Sequence, residues 1–295
     1  MILFTIKLIR PQHWIKNILV FFPMLFAFSY SFNSIYQTML TFLSFSAIAS
    51  SIYVLNDILD APKDRLHPRK KSRPIAARKI NASFAFLIFY FLILIAFSLG
   101  CLVGPNILIV LLLYFAINLF YSFGLKNISI FDVMIVAIGF VFRVVVGALA
   151  INVEISHWML LCTFFISLFV AFGKRKNEMN LMKKDDLMVH RKSAGNYSDN
   201  FISQALTISA GISIVFYSLY TIDYKTTERF GSDNLIYTTP LVVFGILRYL
   251  HLLYNKNDGG DPVSIFSKDL SIIVCFILWV VSIILIYLYP SVYLL

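Results

Sequence analysis

The stretch Tyr53-Val-Leu-Asn56-Asp57-Ile-Leu-Asp60-Ala-Pro62-Lys-Asp64 spaces three carboxylates and an amide at intervals of three and four residues. Such offsets put Asn56 (or Tyr53), Asp57, Asp60 and Asp64 on one face of a helix. Pro62 lacks an N–H and restricts Ala61, so a helix is expected to break there and Asp64 to fold back from a loop. Clustered acids repel one another unless a cation sits among them. Hard oxygen ligands suit Mg²⁺, which binds through one or two carboxylates plus substrate phosphates. Asp57, Asp60 and Asp64 are therefore the expected catalytic acids, with Asn56 beside them as a further metal ligand. The plainer alternative is helix-end carboxylates paired with nearby Lys and Arg; ionisable residues in a membrane segment weigh against it.

Arg65 and His67-Pro68-Arg69-Lys70-Lys71-Ser72-Arg73-Pro74 follow at once. Carboxylates that hold a metal, next to cations that hold phosphate oxygens, fit a diphosphate–Mg²⁺ complex. His67 fits a loop hydrogen-bonding role better than that of a ligand or base. Upstream runs Arg10-Pro11-Gln12-His13-Trp14-Ile15-Lys16-Asn17. Trp14 reads as an interface anchor. Lys16 is equally a snorkelling topology charge or a phosphate ligand.

The elements that position these residues are set by composition. Of 295 residues, 59% are hydrophobic and only 14% charged, against about 25% charged in a soluble domain. Apolar runs such as Phe84–Gly100 and Leu270–Tyr289 match a hydrocarbon core of ~30 Å. The expected class is an all-α integral membrane protein. A soluble enzyme, a disordered chain and a β-barrel of alternating strands are excluded. Nine transmembrane helices can be drawn, at 15–33, 38–59, 83–100, 105–123, 130–150, 156–173, 203–222, 235–254 and 270–289. Long polar connections at 60–82 and 174–200 hint at two related halves, yet no linker divides the chain, so a single domain over 1–295 is expected. With a cytoplasmic N-terminus and alternating sides, 22 of the 25 basic residues fall inside, which fixes topology by the positive-inside rule. The site then faces the cytoplasm from a multi-pass position in the cell membrane. Cys101, Cys162 and Cys275 lie far apart in apolar runs and read as core residues, with no zinc or disulfide pattern. No removable signal peptide is expected.

The string Asn-Asp-x-x-Asp-x-x-x-Asp on the second helix resembles the UbiA superfamily of intramembrane prenyltransferases. Further blocks are similar to its decaprenyl-phosphate phosphoribosyltransferase branch: Arg10–Asn17, Asp64-Arg-Leu-His-Pro68, Arg73-Pro-Ile-Ala76, Tyr121-Ser-Phe-Gly-Leu-Lys126, Gly173-Lys-Arg175 with Glu178, and Ile246-Leu-Arg-Tyr249 with Asp258-Gly-Gly260. They run in order from residue 10 to about 270. The resemblance implies a nine-helix UbiA-like bundle. It also implies phosphoribosyl diphosphate as donor, a polyprenyl phosphate as acceptor, and a lipid-linked pentose precursor for the cell envelope as product.

Within that resemblance, the second long loop opens with Lys174-Arg175-Lys176 where typical members carry a second acidic motif; Asp185 and Asp186 lack its spacing. The expected donor-binding set is Lys16, Tyr53, Lys70, Arg73, Lys174 and Arg175. Arg143 stands in the apolar stretch Phe140-Val-Phe-Arg-Val-Val-Val-Gly147 and should pair with an anion. Asp132, eleven residues earlier, is one candidate. The preferred one is the acceptor's lipid phosphate, with Lys126 as second clamp. The alternative function is a prenyltransferase that moves a prenyl group onto an aromatic or quinone precursor. A transporter would need matched broken helices, and none is evident. A non-catalytic scaffold would tolerate loss of Asp60. Nucleic acid is not an expected partner, since no soluble groove-reading module exists. A homo-oligomer is compatible with such a chain.

Overall fold

The computed structural model describes residues 1–66, 70–185, 197–255 and 269–290. They form two compact units, Met1–Ile155 and Ser156–Leu295. The first holds α1 (Ile2–Ile9), a 3₁₀ segment (Pro11–Phe21), α2 (Phe22–Ala27), α3 (Phe32–Asp64), α4 (Ala82–Val103), α5 (Pro105–Phe123) and α6 (Phe131–Ala150). The second holds α7 (His157–Asp185), α8 (Asp199–Ile222), α9 (Tyr224–Phe230), α10 (Thr239–Asn255) and α11 (Leu270–Leu288).

Helix starts follow local chemistry. Ser31, Asn81, Ser198 and Asp269 each accept a backbone N–H three residues on, at the heads of α3, α4, α8 and α11, which satisfies an otherwise orphaned donor. Gly104, at φ 153°, ends α4, and Pro105 opens α5. Large apolar side chains such as Leu87, Leu94, Leu112 and Phe276 point outward, as lipid-facing surfaces require. Among the described residues, eight helical stretches are long and apolar enough to cross a membrane.

The expected first span, 15–33, is not one long helix. It is the 3₁₀ segment followed by the short α2, ended by Phe28 in the left-handed region at φ 50°. The count of nine and the cytoplasmic N-terminus thus rest on charge bias. The tight winding has a visible purpose. At three residues per turn, positions i and i+3 eclipse. Trp14, Asn17 and Val20 therefore line up along one edge. Trp14 Nε1 donates to Ser50 Oγ at 3.0 Å and Asn17 Nδ2 to Ser46 Oγ at 2.9 Å. Val20 lies against Gly147 of α6.

Buried Ser46 and Ser50 on α3 (both 0% exposed) allow this close approach, as small residues do between membrane helices. A Cβ at Gly147 would collide with the Val20 backbone carbonyl. Gly147→Ala should therefore lower stability by about 1–3 kcal/mol, read as a fall in the thermal unfolding midpoint in detergent. Gly211→Ala, whose methyl would meet nothing within 4 Å, should not lower it.

In the second unit, Lys176 Nζ reaches Asp199 Oδ1 at 2.9 Å and Ser203 Oγ at 3.2 Å, tying α7 to α8. Arg248 and Asp269 join α10 to the head of α11 at 2.9 Å. Trp279 Nε1 donates to Tyr217 Oη at 2.8 Å.

Candidate active site

The acids lie where the sequence puts them, at the C-terminal end of α3, with one difference. The helix runs through Pro62 to Asp64, so the expected break is corrected. Proline there removes one N–H close to the helix end, where few backbone bonds remain to be lost. Asp57 and Asp64, two turns apart, consequently stay on one face. A single guanidinium nitrogen, Arg73 Nη1, bridges them at 3.0 and 2.6 Å. Arg73 is held by a short 3₁₀ turn over Lys70–Ser72, and its loop is pinned by the buried Ile75, Ala76 and Ile80.

Arg10 was not among the expected donor ligands, yet its Nη2 lies 2.7 Å from Asp57 Oδ1. The backbone explains this. Arg10 caps α1 in the left-handed region (φ 59°, ψ 59°), with Pro11 next. That turn sends the side chain onto α3, where the guanidinium also lies 5.5 Å over the Tyr53 ring. Only the motif Arg10-Pro11 could have signalled it.

Lys126 comes from a 3₁₀ turn after α5, its stem buried. Its ammonium grips both oxygens of Asp60, at 2.8 and 3.0 Å. Among the described residues, three carboxylates thus meet three cations. Asp60 is the open one, 26% exposed against 2% for Asp57 and 5% for Asp64. Asn56 and Tyr53 are half-buried on the same stretch of helix, and Lys16 and Lys70 are likewise half-buried.

Asp57 is lopsided: Oδ1 takes both arginines, while Oδ2 is buried with no hydrogen-bond partner among the described residues. An orphaned buried acceptor costs roughly 1–3 kcal/mol, and a cation would satisfy it. Among the described residues no three His, Cys, Asp or Glu side chains converge into a ready metal cage. That pattern fits Mg²⁺, which takes one or two carboxylates and fills its remaining positions with water and phosphate oxygens. Asp57 and Asp60, with Asn56 next to Asp57 on the same helix, are the residues that fit.

Arg143 is 5% exposed and is not brought next to Lys126. Its Nε donates to Asn17 Oδ1 at 2.7 Å and its Nη1 to Gly139 O at 2.6 Å, with Tyr114 Oη at 3.5 Å from Nη2. The rings of Phe45, Phe140 and Tyr114 surround the guanidinium at 4.9–5.5 Å. Asp132 is not its partner: with one turn of helix every 5.4 Å, an eleven-residue interval is too long for the side chain to return. In the second unit Lys174 is exposed, while Arg175 is buried and paired with Glu178. His67, Asp186 and the stretch 258–260 lie outside the described residues.

A helical membrane fold and an acid–cation cluster on α3 leave several families open; the comparison of sequences does not. The model of the UbiA prenyltransferase family matches residues 18–271. The chain belongs to this family. Within it, the decaprenyl-phosphate phosphoribosyltransferase of Mycolicibacterium smegmatis is 33% identical over 288 residues, covering 93% of this chain and 89% of that one. The protein of the same name from Corynebacterium glutamicum is 32% identical over 293 residues, covering 97% and 87%. Among solved structures, a UbiA homolog from Archaeoglobus fulgidus bound to GPP and Mg²⁺ superposes with a TM-score of 0.71. It shares 17% identity and covers 97% of this chain and 99% of that one. At that identity the likeness concerns the fold. The UbiA fold makes this chain an integral membrane protein.

Proposed function

We propose that this UbiA-family protein transfers the 5-phosphoribosyl group of phosphoribosyl diphosphate to a polyprenyl phosphate of the decaprenyl type, releasing diphosphate. The reaction would take place at the cytoplasmic face of the cell membrane. The observation that carries the proposal is the matched set on α3: Asp57, Asp60 and Asp64 held by Arg10, Arg73 and Lys126. A donor with a diphosphate and a separate 5-phosphate needs cations beyond those that serve one metal-bound diphosphate. Relatives near 30% identity that bear the phosphoribosyltransferase name add independent support.

Asp57 and Asp60, with Asn56 and Asp64 in support, would hold Mg²⁺. When bound, the ion would neutralise charge on the leaving diphosphate. Arg73 and Arg10, with Lys16 and Lys70, bind the remaining phosphate oxygens. Tyr53 offers a hydroxyl to the donor. Lys126 turns from Asp60 to the acceptor phosphate. The C1–O bond breaks and its electron pair leaves with diphosphate. A phosphate oxygen of the acceptor forms the new C1–O bond from the opposite face, inverting the anomeric centre. Nucleophile and leaving group are both oxyanions, so no general base is needed. Rate comes from positioning and charge stabilisation.

The test uses purified protein, Mg²⁺, phosphoribosyl diphosphate labelled in the ribose, and decaprenyl phosphate. Label should pass into the organic phase with equimolar pyrophosphate release, and EDTA should stop it. Transfer of a prenyl group from prenyl diphosphate to an aromatic acceptor, with no ribose transfer, would reject the proposal in favour of ordinary prenyl transfer.

A further inference from the structure

The 3₁₀ segment and α3 are zipped in antiparallel register. Arg10 sits on Asp57, Trp14 on Ser50 and Asn17 on Ser46. Residues 10 to 17 thus climb away from the acids as residues 57 to 46 descend from them. The far end of this zipper is closed by Arg143, which donates to Asn17 Oδ1 at 2.7 Å while Asn17 Nδ2 donates to Ser46 Oγ at 2.9 Å. All three residues are buried, at 5%, 1% and 0%.

Three features set the role of this node. The first is depth. Ser46 lies eleven residues before Asp57, about 16 Å along α3 at 1.5 Å per residue. A cation at that level cannot grip a phosphate that Lys126 holds beside Asp60. The second is saturation. Arg143 already donates to Asn17 and to Gly139 O, and three aromatic rings surround its guanidinium. Those rings and neutral acceptors do the work of a counter-ion, since a ring face attracts a cation. The third is sequence adjacency. Asn17 follows Lys16 directly, and Arg10 caps the start of the same segment. The eclipsed i, i+3 winding acts as a ruler, so whatever fixes Asn17 fixes where Lys16 and Arg10 point.

We infer that Arg143 is a positioning residue for the donor site, acting through Asn17 on the segment that carries Arg10 and Lys16, and is not a ligand of the lipid phosphate. The inference rests on the donor site proposed above. It replaces the lipid-phosphate role expected for Arg143 from sequence and leaves that role to Lys126.

The experiment compares donor and acceptor terms in full-length protein held in lipid nanodiscs. Magnesium pyrophosphate affinity is measured by calorimetry. KM is measured separately for phosphoribosyl diphosphate and for decaprenyl phosphate, and the thermal midpoint is followed in parallel. Arg143→Lys and Asn17→Leu should each weaken magnesium pyrophosphate binding about tenfold, as expected for a lost charge-assisted hydrogen bond. Each should raise the donor KM to match and leave the acceptor KM unchanged. Asn17→Asp, which keeps an acceptor for Arg143 Nε, should restore most of the donor affinity. The double variant Arg143→Lys/Asn17→Leu should be no worse than either single one.

A raised acceptor KM with wild-type pyrophosphate affinity would overturn the inference and return Arg143 to the lipid phosphate. Unchanged affinity and KM values with a lowered thermal midpoint would also overturn it, leaving a purely structural contact. Should Asn17→Leu not fold, Arg143→Lys and Asn17→Asp carry the same comparison. Failure of the donor site itself would look different: the wild-type protein would bind no magnesium pyrophosphate, and the positioning role would fall with it.

Discussion

Asp60→Asn is expected to cut transfer by at least about 10²–10³-fold, the loss seen when one preorganised charge contact to a developing anion is removed, with the protein still folded and inserted. Asp60 is the most exposed of the three acids, and Lys126 reaches both of its oxygens. Asparagine leaves Lys126 in place and removes the negative charge that offsets it, so a divalent cation would be repelled where it should be held. The fold should lose less than in Asp57→Asn, because Asp60 is 26% exposed and asparagine keeps a side-chain oxygen to accept from Lys126 Nζ. Turnover of purified variant and wild type, normalised to folded protein by size exclusion, checks this. Wild-type rates in Asp60→Asn would remove the metal assignment.

Asp57→Asn should behave differently, losing both activity and stability. Its carboxylate is 2% exposed and carries two guanidiniums. Removing the buried partner strands Arg10 and leaves Arg73 with Asp64, which costs about 3 kcal/mol at the lower end of the range for broken buried pairs. The lower end applies because Arg10 and Arg73 keep 18% and 26% of their side-chain surface exposed. A second replacement, Arg10→Gln, removes the stranded charge and should recover part of the lost thermal midpoint. Simple additivity of the two losses would show that Arg10 and Asp57 are not energetically coupled.

How far the sequence could be read depended on whether its signals were local. The period-three-and-four run from Asn56 to Asp64 is local, so the acid face was legible. The apolar runs are local too, and α4, α5, α6, α8 and α11 fall close to their expected limits. The first span was expected as one helix because Ile18–Phe28 is a continuous apolar run. What winds Pro11–Phe21 into a 3₁₀ form is a row of partners on α3 and α6, far away in sequence. Arg143 was rightly singled out as a buried charge, but its anchor, Asn17, is 126 residues distant. Helical spacing offered only Asp132, so the preferred partner was an anion from outside the chain, the acceptor's lipid phosphate. Arg10 was hidden for a backbone reason: a left-handed non-glycine turn before proline is not encoded by periodicity. Pro62 was overweighted, since a proline in the last turn of a helix sacrifices little.

The most direct measurement is a cryo-EM map of the purified protein with phosphoribosyl diphosphate and Mg²⁺. The diphosphate and its ion should lie against Asp57 and Asp60, with Arg10 and Arg73 moved from Asp57 Oδ1 onto phosphate oxygens. A donor bound elsewhere, with Asp57, Asp60 and Asp64 still closed on Arg10, Lys126 and Arg73, would contradict the proposed site.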